Sequence, residues 1–191
     1  VRVYQYREFT QIDSDNGTYH YTSRVQDATQ TKPLIITENT STAPVVGNSY
    51  WTQLGSDIDG EATIDTSRSV SLSSDGSIVA IGAPYNAGAT GDIWSSGHVR
   101  VYQRNESNTT VAPIGWTQLG DDIDGEAQSD QSGYSVSISS DGSIVAIGAI
   151  YNAGNGISSG HVRVYQYNAS KTEADTDQTS ATFGPAGWNR L

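Results

Sequence analysis

The feature that most constrains this chain is that it repeats itself almost verbatim. WTQLGSDIDGEA from Trp51 returns as WTQLGDDIDGEA from Trp116, an offset of 65 residues. SVSLSSDGSIVAIGA from Ser69 returns as SVSISSDGSIVAIGA from Ser135, and SSGHVRVYQ from Ser95 returns from Ser158. A fixed period of this kind means that one supersecondary unit is stacked on copies of itself. The copies drift by a few residues because Ala89 to Trp94 is longer than its counterpart around Asn155 to Ile157. The opening VRVYQY matches Val162 to Tyr167, and the closing Trp188-Asn189-Arg190-Leu191 matches the start of WTQLG. We therefore read the sequence as a piece of a longer repeat array.

Each unit holds four runs rich in β-branched and aromatic residues, separated by Gly, Asn, Asp and Ser. In the complete copy they are Ser69 to Ser73, Ser77 to Ala83, His98 to Gln103 and Trp116 to Gly120. Asp75-Gly76 and Asp141-Gly142 predict tight hairpin turns with positive φ at both residues. Val70 and Leu72 alternate with serines, the mark of a half-buried strand, whereas Ile78 to Ile81 run unbroken, as in a strand covered on both faces. The period is too long for a leucine-rich repeat and lacks helical spacing, so the expected fold is all-β, a β-propeller of four-stranded antiparallel blades. About two and a half blades are present. Residues 1–55 give strands 3 and 4 of a partial blade with a long insertion at 7–50, residues 56–120 a complete blade, and residues 121–191 a second that ends at the start of its strand 4. Within the insertion, Tyr19 to Thr22 and Leu34 to Thr37 read as an added hairpin. The partial blade needs strands from elsewhere in the chain or from a neighbour to cover its edge.

Gly133-Tyr134-Ser135-Val136 followed by Ile144 to Ala149, and Ile81-Gly82-Ala83-Pro84 in the other copy, resemble the FG-GAP repeats of integrin-α-type propellers, units also found in large secreted proteins of marine microbes and algae. The resemblance implies a seven-bladed propeller. It does not bring that family's calcium site with it, because the place of the DxDxDG loop between strands 1 and 2 is held here by a short Ser-Asp-Gly turn.

The formal charge of −11 and the scattered basic residues argue against nucleic acid, which calls for a clustered basic surface. No run approaches the roughly 20 apolar residues of a membrane-spanning helix, so no membrane insertion is expected. There is no cysteine, and with it no disulfide or thiolate chemistry.

Blade connectivity sorts the loops onto two faces. The 3–4 connections, Arg7 to Tyr50, Arg104 to Gly115 and Asn168 to Gly187, hold all five Asn-x-Ser/Thr sequons, at Asn16, Asn39, Asn105, Asn108 and Asn168. They read either as N-glycosylation sites on one face of an extracellular or cell-surface protein, or as chance sequons in polar loops. The other face gathers two acidic loops with matched spacing, Asp57, Asp59, Glu61 and Asp65, then Asp122, Asp124, Glu126 and Asp130. Alternating oxygen ligands suit calcium, but Gly60 and Gly125 fall too early for the sharp turn of a calcium loop. Cation ligands and solvated turn acids both stay open. Ile58 and Ile123, between the acids, are expected to point into the core, and Asn86 and Asn152 to serve as turn residues.

No catalytic grouping emerges. His98 and His161 are equivalent repeat positions, which suits a shared structural hydrogen bond, and His20 stands alone. Gly133-Tyr134-Ser135 lacks the second glycine of a nucleophile elbow. Trp51, Trp116 and Trp188 recur in register and suggest packing. Trp94, inside the longer loop, is the one aromatic placed for a partner contact. The expectation is a non-enzymatic extracellular structural or adhesive glycoprotein module that self-associates or meets other extracellular proteins or glycans, with no required cofactor. The alternatives are a calcium-assisted, integrin-like or lectin-like binding propeller and, more remotely, a carbohydrate-active enzyme.

Overall fold

The computed structural model describes residues 1–11, 21–24, 34–36, 50–63, 65–87 and 95–191. The described residues form antiparallel β-sheet and no helix. They divide into two compact units, one of Arg2–Leu54 and one of Gly55–Leu191 together with Val1.

In the first unit the strands are β1 (Val3–Gln11), β2 (Tyr21–Arg24), β3 (Leu34–Ile36) and β4 (Tyr50–Leu54), in the order β3-β2-β1-β4. The long β1 has two partners. Val3 to Arg7 pair with β4, and Glu8 to Gln11 pair with β2, which in turn pairs with β3 from Tyr21↔Ile36 to Ser23↔Leu34. The insertion thus supplies strands of its own to the part of β1 that runs past the repeat.

The second unit carries two consecutive up-and-down sheets. One is β5 (Ser69–Leu72), β6 (Ile78–Ala83), β7 (His98–Arg104) and β8 (Trp116–Gln118), with β9 (Ile123–Asp124) added along β7. The other is β10 (Ser132–Ile138), β11 (Ile144–Ala149), β12 (His161–Tyr167) and β13 (Trp188–Arg190). The registers match. Ile78 lies opposite Gln103 and Ala83 opposite His98, as Ile144 lies opposite Gln166 and Ala149 opposite His161. The longer sequence between β6 and β7 brings no slip of register, which would have turned every side chain to the wrong face.

The sheets stack through one core of Ala80, Val99, Val101, Leu119, Ile123, Val145, Ile147, Tyr165 and Trp188. Burial of these aliphatic and aromatic side chains is the main force holding sheet to sheet, about 1.5–3 kcal/mol for each fully buried large side chain. From Val79 onward every residue of β6 is buried, as its unbroken apolar run requires, and β10 packs across it. Trp188 closes the joint. Its Nε1 donates to the Leu119 carbonyl at 3.0 Å, and its ring lies against Gly120, where a Cβ would come within 2.7 Å of Nε1. Trp116 lies on Gly55 in the same way.

Three expectations need correction. In β5 the serines, not the apolar residues, face the next sheet: Ser69 Oγ donates to the Gly133 carbonyl at 2.8 Å and Ser71 Oγ accepts from Ile138 N at 3.1 Å. Val70 and Leu72 are left 54% and 46% exposed, while Val136 and Ile138 in β10 pack against the core. The Asp-Gly turns are not two-residue turns of mirror-image type either. Only the glycines, Gly76 and Gly142, have positive φ. Asp75 Oδ1 instead accepts from Ser73 Oγ, Ser77 N and Ser77 Oγ, in a longer loop closed by Ser73 N donating to the Ile78 carbonyl. Finally, Trp116 and Trp188 are buried but Trp51 is 67% exposed, so the three tryptophans are not packed alike.

Candidate functional site

The acidic loops gain their geometry from the isoleucines between the acids. Ile58 and Ile123 are buried, and the alternation of an extended chain then turns the flanking carboxylates away from the core. In the second loop this is a formed strand: β9 pairs Ile123 with Val99 and Asp124 with His98, and Gly125 N donates to the Gly97 carbonyl at 2.7 Å.

Asp122 is thereby laid onto β7. Arg100 Nε donates to its two oxygens at 3.0 and 3.1 Å, and Arg100 Nη2 to Oδ2 at 3.1 Å. Gln118 Nε2 donates to Oδ1 at 2.7 Å, and His98 Nδ1 stands 3.5 Å from Oδ2. Glu61, from the first loop, contacts the same Arg100 guanidinium. Two successive acidic loops therefore meet on one half-buried arginine. Charge-assisted forks of this type are the stronger class of hydrogen bond. Beside them lies a cavity of about 390 Å³ lined by Glu61, Ala62, Asp65, Asn86, Ala87, His98, Asp122 and Asp124.

Glu61, His98 and Asp122 place ligand-type atoms within 4.8 Å of one another. Arg100 already neutralises both carboxylates, so a hard cation entering there must displace a guanidinium. The remaining acids do not converge as a calcium cage would. Asp65 accepts from Ala62 N at 2.9 Å, and the buried Asp130 accepts from Ala127 N at 3.1 Å and from Asn152 Nδ2 at 2.7 Å. Glu126 turns to Arg190 at 3.1 Å, Arg163 at 3.6 Å and His161 at 3.8 Å. Asp124 is pushed above the ordinary carboxylate range, first by burial and then by the charge of Asp122. Asp57 and Asp59 line a groove of about 710 Å³ running past Arg100, Tyr102 and Trp116. The histidines do hold equivalent places, but on different acids, His98 on Asp122 and His161 on Glu126. Asn86 and Asn152 are buried turn residues: the Asn86 carbonyl accepts from Gly97 N, and Asn152 Oδ1 from Gly154 N.

On the opposite loops, Asn105 and Asn168 form the same turn, Oδ1 accepting from Ser107 N and from Ser170 N, each at 3.0 Å. Asn105 Nδ2 also donates to Thr117 Oγ1. Asn108 is of another kind. Its Nδ2 donates to the carbonyls of Val111 at 2.8 Å, Pro113 at 3.2 Å and Trp116 at 2.7 Å. The atom that would carry a sugar is thus the one that ties the loop together, a role that the sequon pattern hides. Asn16, Asn39 and Trp94 lie outside the described residues.

No family model matches the chain, and no curated protein sequence matches it significantly.

Proposed function

We propose that this chain is a run of FG-GAP-type β-propeller blades and serves as a non-enzymatic extracellular structural or adhesive module, a rigid scaffold for self-assembly or surface architecture. The observation that carries the reading is the stacking of two consecutive up-and-down sheets, each with a four-strand path and one of them with β9 added, through a single core, with Trp188 of one bonded to Leu119 ahead of β9 in the other. Propellers are built by radial repetition of such sheets. The matched turns at Asn105 and Asn168 put two sequons at equivalent points of the loops between the third and fourth strands, where glycans would not disturb the core.

The first experiment is the mass of the natively purified protein before and after enzymatic removal of N-glycans. A loss of mass on deglycosylation is expected. An unchanged mass would remove the extracellular part of the reading.

A second reading, calcium-assisted ligand binding, is favoured by the Glu61, His98 and Asp122 grouping alone. It requires the thermal midpoint to rise with millimolar calcium and fall with chelator. A midpoint unmoved by either would remove it.

A further inference from the structure

Arg100 and Arg163 are the same residue of successive repeats, opposite Ile81 and Ile147 in matched registers. Each meets the glutamate of its own acidic loop, Glu61 for Arg100 and Glu126 for Arg163. There the likeness stops. Arg100 Nε is held by both oxygens of Asp122. Arg163 is only 5% exposed, and its Nη2 donates to the Asp124 carbonyl at 2.7 Å and to Ser132 Oγ at 3.2 Å, yet its Nε is buried with no hydrogen-bond partner. His161 Nε2, next to it on β12, is likewise buried and unpartnered. A donor that has lost water and gained no acceptor carries its full desolvation cost, and for a guanidinium the acceptor that relieves it best is a carboxylate.

The neighbouring substitution points the same way. Gln118, which donates to Asp122, lies opposite Tyr102, and Arg190 lies opposite Tyr165 in the equivalent place. Around Arg100 two carboxylates face one arginine. Around Arg163 one carboxylate within ion-pair distance, Glu126, is shared by two arginines, and the half-buried Asp124 carboxyl lies near enough to feel the Arg163 charge. Fewer carboxylates are bonded to each arginine here than at Arg100, and the Arg163 Nε is the donor left over.

We infer that Arg163, with His161 and Arg190 beside it, is a seat for the aspartate carboxylate of an acidic segment of the repeat's own type, Leu-Gly-x-Asp-Ile-Asp. The seated form is seen in Leu119 to Asp124 on Arg100, and Ile58 of the preceding segment exchanges backbone hydrogen bonds with Val1 as Ile123 pairs with Val99. The inference stands on the two arginines and does not depend on the extracellular reading.

The test is a titration of the protein with a capped synthetic peptide of the sequence of Leu119 to Ala127, followed through the side-chain Nε–Hε resonance of Arg163 in NMR spectra. A saturable shift of that resonance is expected, with affinity lowered at least tenfold when the peptide carries Asn in place of Asp122. Arg163→Lys, which keeps the charge but removes the fork, should cost a similar factor, read by isothermal titration calorimetry because that variant lacks the reporting Nε–Hε group. If that variant does not fold, the comparison of the two peptides on the unmodified protein decides alone. No shift at millimolar peptide, or equal binding of the Asp and Asn peptides, overturns the inference. So does a shift that grows with protein concentration while the peptide produces none, because the seat would then belong to some other face of a second copy.

Discussion

Asn108 and Lys171 occupy the same point of successive repeats and clamp the same loop with different chemistry. Asn108 N donates to the Asn105 carbonyl and Lys171 N to the Asn168 carbonyl, each at 3.0 Å. Asn108 Nδ2 then reaches the carbonyls of Val111, Pro113 and Trp116, and Lys171 Nζ those of Thr182, Gly184 and Trp188. The position calls for a side-chain nitrogen that can satisfy several carbonyls at once, and an ammonium or an amide both provide it.

Asn108→Ala should therefore destabilise the protein by about 1–2 kcal/mol, the cost of stranding partly buried carbonyls. Thr110→Ala, which destroys the sequon but leaves the clamp, should change stability by no more than about 0.5 kcal/mol, as for an ordinary surface substitution. Denaturant unfolding of the two variants separates them. In a glycosylating host, peptide mass spectrometry should find Asn108 bare, and a glycan there would refute the clamp.

The joint between the sheets can be weakened at a single residue. Trp188→Phe keeps a six-membered ring but removes the N–H that serves the Leu119 carbonyl and opens a small cavity in a fully buried place, for an expected loss of about 1–3 kcal/mol or more. Gly120→Ala should cost at least as much, because Gly120 has a φ of +67° and a Cβ would meet the Ala186 carbonyl oxygen at 2.5 Å. Strain of that kind is of order 1–3 kcal/mol before the clash is counted. Thermal unfolding checks both, and an unchanged midpoint for Trp188→Phe would show that the bond contributes nothing.

Acid should loosen the hairpin turns. Asp141 is lowered to about 2, first by the Ser139 hydroxyl and then by the backbone N–H and hydroxyl of Ser143. Asp75 is lowered in the same direction, with Ser73 the first cause. A carboxylate depressed in the folded state stabilises it fully above the ordinary carboxylate range, near pH 4, and that contribution is lost as pH falls toward the folded value. Asp141→Asn should be less stable than the parent at neutral pH, with the gap closing as pH approaches 2. A gap independent of pH would contradict the assignment.

Asp124 should behave in the opposite sense. Its carboxyl is raised by burial and by Asp122, so ionisation works against folding, and the penalty is present above the folded pKa and absent in acid. Asp124→Asn should raise the thermal midpoint at neutral pH and leave it unchanged below the carboxylate range. The Asp124 backbone carbonyl that accepts from Arg163 survives the substitution.

The repeat, its four strands, the covered β6 and the buried Ile58 and Ile123 were all legible in the sequence, because each is written in local alternation and in the recurrence of whole segments. The acidic loops were visible as candidates, but not their use. What tertiary structure decided is which neighbour each face meets. Val70 and Val136 carry the same local pattern, yet one is open and the other packs on the core. Asp122 and Glu61 look like members of one carboxylate series until the fold sets both on Arg100. Alternation defines two faces of a strand without saying what will cover them. That depends on sheets brought together from more than sixty residues away, as Trp188 is to Leu119, and no local period encodes it.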